Sequence, residues 1–273
     1  SRKINEYNAF NTMIINLFKY RSFILKTSWS GFRHRYAGTS MDFLWIVLQP
    51  LTMILLYFTV FSTIFASKMG AAEGGTAMFA LYLCSGFLAW SAAIECITSG
   101  ANAFINNATY LKKLSIPEQV FVAKESAVAT YGLVISFVLL IIISMVFFHF
   151  PSWTWLLLPL PLLLFQCFAF GLGMFLGIMN VFFKDVGHSL PILFQAWFWL
   201  TPIVYPITIL PEFMQDMAFI NPAFHYITAV REIFLYHRFP DSSLWIAMIS
   251  WSLIVPLLAY LVLRRLRPEI RDC

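Results

Sequence analysis

The chain has 273 residues, of which 60% are hydrophobic and 11% charged, whereas soluble domains carry roughly 25% charged residues. Its apolar residues are gathered into blocks of about 20 or more, the length at which a helix crosses roughly 30 Å of hydrocarbon. This composition excludes a water-soluble fold and predicts a single all-α integral membrane domain over residues 1–273. Residues 1–42 lack the short apolar core of a cleavable signal peptide, so we expect no leader and a cytoplasmic N-terminus.

The N-terminal segment, residues 1–42, contains a stretch from Tyr7 to Lys26 in which apolar residues recur near helical spacing. This pattern predicts a helix lying flat in the cytoplasmic headgroup layer, with lysine and arginine stems reaching the surface. Two roles fit such an interfacial helix: a lateral gate that guides lipid headgroups, and a simple anchor.

About six long apolar blocks follow, and each is predicted to form a transmembrane helix. Five lie within residues 43–204, and the last, residues 244–263, precedes a short polar tail at residues 264–273. In chain order the blocks cover residues 43–66, 78–103, 119–148, 155–183, 187–204 and 244–263.

The basic residues predict the orientation of these helices. With a cytoplasmic N-terminus, all but three of the 18 lysine and arginine residues fall on the cytoplasmic side. The exceptions are Lys68, Arg231 and Arg238. Because cytoplasmic loops carry such an excess of basic residues, both termini are expected in the cytoplasm. The net charge of +5 then reflects topology, and no nucleic-acid partner is expected.

The segment before the last block, residues 205–243, is expected on the external side. It holds two apolar helical stretches, Glu212–Ile220 and Ala223–Tyr236, separated by Asn221 and Pro222. Each stretch is too short to cross the bilayer, and proline disfavours helical geometry at the residue before it. We therefore predict a re-entrant helical hairpin, sheltered by protein or by a water-filled cavity.

We expect this hairpin to act as an external gate that closes a channel between transport cycles. The residues assigned to the gate are Asn221, Pro222, Arg231 and Glu232. Arg231 and Glu232 form a charged pair that could satisfy each other or the exposed backbone of the hairpin. The alternative is a cap that only packs on the helix ends.

No catalytic or metal site is recognisable in the sequence. No glycine is followed by lysine, so the phosphate-binding loop GxxxxGK[ST] is absent and any ATP must be hydrolysed by another chain. The five histidines lie far apart and the four cysteines form no CxxC pair, so neither a metal site nor a disulfide is expected. We expect no cofactor on this chain.

A substrate channel is predicted from one acid and several aromatic residues. Glu95 lies inside the second block, where an ionisable group is costly and serves either the substrate path or a buried hydrogen bond. Aromatic faces stack on the apolar CH surface of sugars, which makes Tyr57, Phe61, Trp197 and Trp199 candidates for the channel lining. The alternative is that these aromatic residues face lipid or the membrane interface.

A GxxxG motif in the fourth block, Gly173 and Gly177, predicts close helix packing. The motif leaves open whether that packing occurs within one subunit or between two.

Four stretches, in the same order along most of the chain, resemble type 2 ABC exporter permeases, especially those of the polysaccharide-export family. They are Arg33–Ser40 leading into Trp45–Pro50, Asn106–Pro117, Phe183–Val186 with Thr201–Pro206, and Asn221–Pro222 with Arg231. The chain departs from the family pattern where Met41-Asp42 replaces Leu-Gly, where Ile116 replaces phenylalanine and where Lys184 replaces arginine.

This resemblance implies a homodimer of six-helix subunits that meets two copies of a separately encoded ATPase subunit, which binds ATP and Mg. The dimer would move a lipid-linked polysaccharide of the capsule, O-antigen or teichoic-acid type from the cytoplasm across a bacterial inner membrane. Outside this interpretation, the sequence leaves open an ABC exporter of drugs or lipids, a secondary transporter and a membrane-bound glycan-modifying enzyme.

The resemblance also assigns two groups of cytoplasmic residues. The predicted coupling helix contacts the ATPase subunit through Asn107, Tyr110, Leu111, Lys112 and Lys113. The predicted cytoplasmic entrance for the substrate comprises Arg33, Arg35, Tyr36, Lys184 and Asp185. A solvated loop with ordinary positive-inside lysines is the alternative for the first group.

Overall fold

The computed structural model describes residues 2–35, 44–65 and 75–272, and these residues fold almost wholly into helices. The α-helices are α1 (Arg2–Lys19), α2 (Arg21–His34), α3 (Leu44–Phe65), α4 (Gly75–Asn106), α5 (Ala108–Lys113), α6 (Gln119–Val146), α7 (Pro159–Phe182), α8 (Asp185–Leu200), α9 (Glu212–Ile220), α10 (Pro222–Phe234) and α11 (Ser242–Asp272). A short 3₁₀ helix, Trp153–Leu157, precedes α7. The predicted all-α class is confirmed, and no strand occurs in the described ranges.

Four helical segments are long and apolar enough to cross a membrane. They are residues 77–106 in α4, residues 119–146 in α6, residues 153–182 ending in α7, and residues 242–267 in α11. In α3 a shorter apolar stretch, Val47–Tyr57, was found, and α8 has 16 residues. The chain is therefore an integral membrane protein by the length and composition of its helices.

The N-terminal segment differs from the single helix predicted over residues 7–26. The helix ends at Lys19 and a second one begins at Arg21, with Tyr20 between them. The second helix, α2, is held against α6, where Phe32 is buried and its ring lies 5.6 Å from that of Tyr131. The segment is therefore partly a packing element of the bundle and not only a surface helix.

The other end of the chain also differs from the prediction, because residues 264–272 continue α11 instead of forming a separate tail. Arg267 on this extension donates from Nε to the carboxylate of Glu118 over 2.9 Å, and Glu118 is buried. The polar residues of the tail therefore anchor the C-terminal end of α11 beside the start of α6.

The helix α4 lies at the centre of the bundle and packs against α3, α6, α7 and α10. Its contact with α7 is close because glycines face each other. A Cβ added at Gly173 would lie 3.1 Å from the Ile97 carbonyl oxygen, and one at Gly177 would lie 2.8 Å from that of Gly100. The GxxxG motif therefore serves packing within one subunit, which decides between the two alternatives left by the sequence.

Hydrogen bonds tie the helix ends into two groups. At one end, besides the bond of Arg267 to Glu118, Asn180 on α7 donates to the Ala101 carbonyl on α4 over 3.0 Å. At the other end, the indole of Trp155, just before α7, donates to a carbonyl at the end of α10 over 3.0 Å. The helices α4, α7 and α11 therefore end on the side where α6 begins, so α6 runs opposite to the other three.

Candidate functional site: a lateral cavity at the Arg35–Glu95 ion pair

A cavity of about 590 Å³ opens between α2, α3, α4 and α6. Its volume falls within the roughly 300–1,000 Å³ typical of ligand pockets. The residues that line it are Phe32, Arg35, Gln49, Pro50, Met53, Phe87, Leu88, Ser91, Ala92, Glu95, Gly132, Leu133 and Ser136. Two residues that the sequence assigned to different groups, Arg35 and Glu95, therefore line the same cavity.

The two charged residues form an ion pair, in which Arg35 Nη1 donates to Glu95 Oε1. Arg35 directly follows α2, and its backbone N–H still bonds to the Gly31 carbonyl, so its position is fixed by the end of that helix. Glu95 projects from the central helix α4. Their side chains are 39% and 35% exposed, so the pair is accessible to a ligand that enters the cavity.

The remaining walls combine apolar and weakly polar groups. Met53, Phe87, Leu88 and Leu133 supply apolar surface, while the polar lining residues include Ser91. The hydroxyl of Ser91 bonds to a carbonyl on its own helix, so it adds little free hydrogen-bonding capacity. An apolar cavity with one accessible cation and anion suits an amphipathic ligand whose charged group competes with Glu95 for Arg35.

The sequence missed most of this lining, although a signal was present. Ser91 and Glu95 are four residues apart on α4, and Gly132 and Ser136 are four residues apart on α6. Residues at this spacing share one helix face, so two stripes of small and polar residues inside apolar blocks indicated a common surface. Only the tertiary contact of α4 with α6 brings the stripes together.

The predicted aromatic channel residues fall into different environments. Tyr57 is partly buried, with its ring 4.6 Å from that of Phe87 on the cavity wall. Trp197 is a packing residue, because its ring lies 5.0 Å from that of Trp90 and its indole donates to Asn221 over 2.9 Å. Trp199 is exposed. The side chain of Phe61 lies outside those that the structure describes.

The predicted contact with an ATPase subunit is a short helix, α5, whose side chains are unequal in exposure. Leu111 is 3% exposed and packs in a core cluster, so it is not available to a partner. Asn107 is also buried and donates to the Ala103 carbonyl over 2.7 Å. Tyr110 is 58% exposed, and Lys112 and Lys113 are exposed beside it. Tyr110 is therefore the apolar side chain of α5 that remains accessible.

The other predicted entrance residues do not join the cavity lining. Arg33 is exposed on the last turn of α2, and Lys184 and Asp185 are exposed where α8 begins. Asp185 lies in the first turn of α8, where its charge complements the helix dipole. Tyr36 lies outside the described residues.

The two helical stretches predicted for the hairpin are present as α9 and α10, which meet at Asn221. The Asn221 side chain accepts a hydrogen bond from the Ala223 N–H over 3.1 Å, and Pro222 occupies the first turn of α10. This is a regular helix start, with an asparagine cap followed by proline. Asn221 also donates to Thr201 over 2.7 Å, which ties the hairpin to the end of α8.

Of the two alternatives for Arg231, pairing with Glu232 or satisfying exposed backbone, the structure shows the second. Arg231 is buried and donates instead to the carbonyls of Tyr82, Pro202 and Ile203 and to the Tyr82 hydroxyl. Adjacent residues on a helix point in different directions, so the two side chains do not meet. Arg231 therefore joins α10 to α4 and to the chain leaving α8.

Glu232 is left without that partner. Within the described part of the chain, its Oε2 is buried and has no hydrogen-bond partner. Burial raises the pKa of this carboxyl, as does the charge of Asp241, while Arg238 acts in the opposite direction. Glu232 thus differs from an ordinary surface carboxylate.

These features define a helical membrane protein with a cavity between α2, α3, α4 and α6 and a two-helix segment before α11. The family model of the ABC-2 type transporters matches residues 24–235. The chain belongs to the ABC-2 type transporter family, whose members are membrane subunits of transporters.

Curated relatives cover most of the chain. It is 26% identical over 262 residues to the O-antigen export system permease protein RfbA of Myxococcus xanthus, covering 95% of this chain and 98% of that protein. A protein of the same name from Klebsiella pneumoniae is 26% identical over 204 residues, or 74% of this chain and 75% of that protein. The inner membrane transport permease YadH of Escherichia coli K12 is 24% identical over 222 residues, or 77% and 82%.

Family membership decides between the classes of protein left open by the sequence. An ABC-2 permease is the membrane subunit of a transporter, so family membership excludes the two alternatives of a secondary transporter and a membrane-bound glycan-modifying enzyme. The resemblance stated from the four sequence stretches is confirmed at the level of the family.

Proposed function

We propose that this chain is the transmembrane subunit of an ATP-driven exporter that moves a lipid-linked polysaccharide of the O-antigen or capsule type across a bacterial inner membrane. The observation that carries the proposal is its similarity to an O-antigen export permease over 98% of that protein's length. The fold supports the proposal, because a long glycan on a lipid needs both a lateral opening to the bilayer and an external end that can close.

The lateral cavity is the proposed entrance for the lipid-linked end of the substrate. Its apolar walls suit the lipid chain, and Arg35 suits an anionic phosphate group, which accepts charge-assisted hydrogen bonds from a guanidinium. In the structure, the guanidinium of Arg35 donates to the carboxylate of Glu95. A phosphate that displaces Glu95 would free that carboxylate, and this exchange couples substrate arrival to a change between α2 and α4.

The partners follow from the same proposal. Two copies of a separate ATPase subunit, with their ATP and Mg, bind at α5 through Tyr110 and the neighbouring lysines, since an exposed aromatic anchor beside basic side chains fits a partner groove. Two copies of this chain form the channel between them. The ATPase supplies the energy, because the chain itself has no phosphate-binding loop.

The proposed topology has six transmembrane helices, α3, α4, α6, α7, α8 and α11, with both termini in the cytoplasm. The helix directions support it, because α4, α7 and α11, the proposed second, fourth and sixth spans, end on the side where α6, the third, begins. Lys112, Lys113 and Lys184 lie with the end of α11 on that same side, as expected for a cytoplasmic face. The helices α9 and α10 then form the external hairpin, re-entering toward the bilayer as a gate.

Gene deletion with complementation tests the proposed function. A strain lacking the gene should retain lipid-linked glycan in the cytoplasmic leaflet and lose it from the surface, and the wild-type gene should restore export. Arg35→Gln should lower export at least about tenfold, since a hydrogen bond to a charged group contributes roughly 1.5–3 kcal/mol. The matched control is Arg21→Gln, at an exposed arginine outside the cavity. Unchanged surface glycan in the deletion strain would contradict the proposal.

A further inference from the structure

A second cavity, of about 490 Å³, lies on the hairpin side of the bundle. It is distinct from the Arg35–Glu95 cavity and is formed by α10, the chain leaving α8 and the first turns of α4. The residues that line it are Tyr82, Pro202, Pro206, Ile207, Thr208, Phe224, Thr228, Arg231, Glu232, Tyr236 and Arg238.

Arg231, one of the two arginines that line this cavity, uses most of its hydrogen-bond donors within the protein. Four of the five N–H donors that a guanidinium carries go to Tyr82, Pro202 and Ile203, at distances between 2.6 and 3.3 Å. Its guanidinium carbon also lies 3.5 Å from the centroid of the Tyr82 ring. Arg231 therefore builds one wall and has little capacity left for an anionic ligand.

The carboxylate of Glu232, unlike the guanidinium of Arg231, has unused hydrogen-bonding capacity. Its buried Oε2 lacks a hydrogen-bond partner among the described residues, and a buried carboxylate oxygen without a donor is costly. Because carboxylates only accept hydrogen bonds when ionised, the cavity calls for a ligand that supplies donors. The nearby positive charges of Arg231 and Arg238 disfavour a metal cation in that role.

The other residues that line the cavity could contact both the hydroxyl groups and the apolar CH face of a sugar. Thr208 and Thr228 add hydroxyl groups, and Tyr236, which is 49% exposed, offers an aromatic face to the apolar CH side of a ring. A few placed polar groups on a mainly apolar lining are typical of small-molecule sites. The volume accommodates a short saccharide.

We propose that this cavity binds a saccharide segment of the exported glycan on the external side, with Glu232 accepting hydrogen bonds from sugar hydroxyls and Tyr236 stacking on a ring. The inference rests on the proposed function, because that function brings a glycan to this side of the membrane. The site would hold the emerging chain next to the hairpin and oppose its return into the channel.

Binding is tested with the full chain in lipid nanodiscs. The probe is the repeat-unit oligosaccharide, freed of lipid and phosphate, from the surface polysaccharide of the host strain, titrated by isothermal calorimetry. Glu232→Gln should weaken its binding about tenfold or more, and Tyr236→Leu several-fold. The matched control is Glu212→Gln, an exposed carboxylate of the same hairpin outside the cavity, which should bind like the wild type. A thermal unfolding curve for each variant shows that it is folded.

The outcomes separate this inference from the proposed function. Wild-type protein that complements export but does not bind the oligosaccharide, or a Glu232→Gln variant that binds as tightly as the wild type, would overturn the inference alone. Saturable binding of inorganic phosphate, weakened by Arg238→Gln, without oligosaccharide binding would replace the saccharide site with an anion site. A deletion strain with unchanged surface glycan overturns the proposed function, and the inference with it.

Discussion

The guanidinium of Arg231 donates to three carbonyls and one hydroxyl at a buried junction between α10, α4 and the chain leaving α8. Arg231→Ala leaves these acceptors without donors, so we expect a loss of roughly 3 kcal/mol or more in stability. Arg231→Lys should recover only part of it, because an ammonium cannot reproduce the planar fork. Thermal unfolding followed by size-exclusion chromatography measures both. Arg238→Ala, at an exposed arginine nearby, is the control, and equal stability of Arg231→Ala would refute this role.

Glu232 should make stability depend on pH. Its pKa in the folded chain is raised by burial, then by Asp241, against the lowering effect of Arg238. The pKa of a glutamate in the unfolded chain is about 4.3. Between these two pKa values the folded chain binds the proton better than the unfolded chain does, so this carboxyl destabilises the fold as pH rises through that window. Glu232→Gln should therefore melt at a higher temperature than the wild type at neutral pH.

Below about pH 4 the unfolding temperatures of Glu232→Gln and the wild type should become equal, because Glu232 is then protonated in both the folded and the unfolded chain. Unfolding temperatures measured across the pH range for wild type and variant provide the test. A Glu232→Gln variant that is less stable at neutral pH would show that the carboxylate has a stabilising partner. Combined with weaker saccharide binding, a gain in stability would identify Glu232 as a residue kept for ligand binding at the expense of the fold.

At the scale of single helices, Tyr110 and Leu111 of α5 have different roles, although the sequence analysis assigned both to the contact with the ATPase subunit. Tyr110→Ala should release the ATPase subunit without lowering the stability of the chain, because Tyr110 is exposed. Leu111→Ala should instead lower stability by roughly 2–5 kcal/mol, since it removes a buried side chain from the core. Co-purification and thermal unfolding of both variants provide the comparison. Full co-purification of Tyr110→Ala would exclude α5 as the main contact.

The packing of α7 on α11 depends on Gly171. A Cβ at this position would lie 2.4 Å from the backbone nitrogen of Pro256, and backbone cannot move aside as a side-chain tip can. Gly171→Ala should therefore cost roughly 1–3 kcal/mol or prevent folding. Gly31→Ala is the matched control on α2, because its nearest neighbour, a methyl of Val128, would be 3.8 Å away. Equal behaviour of the two variants would contradict the close approach.

At the scale of the whole molecule, the proposed topology predicts which sites are accessible from outside. In a variant without its native cysteines, Pro151→Cys and Asp216→Cys should react with a membrane-impermeant maleimide on intact spheroplasts. Lys113→Cys and Lys184→Cys should react only after permeabilisation. The pair at residues 184 and 216 tests whether the 16-residue α8 crosses the membrane. Labelling of both in intact cells would remove α8 from the spans and reduce their number.

Much of the architecture follows from the sequence because a bilayer imposes length and polarity on each segment. The blocks at residues 78–103 and 119–148 correspond closely to α4 and α6, and the stretch Glu212–Ile220 matches α9 residue for residue. Apolar length sets where a helix can lie. The break at Asn221 and Pro222 needed only local backbone chemistry, namely a cap and a proline.

The tertiary structure decided which side chains meet, because periodicity assigns a residue to a helix face but not to a neighbour. Sequence placed Arg35 and Glu95 in separate groups, whereas the packing of α2 and α4 around one cavity pairs them. It left open whether Arg231 and Glu232 pair with each other or satisfy exposed backbone, and the two side chains point in different directions on α10. Arg231 donates to carbonyls, and Oε2 of Glu232 has no donor among the described residues. Burial and partners of charged groups in a bundle depend on contacts distant in sequence, and only the folded chain specifies those contacts.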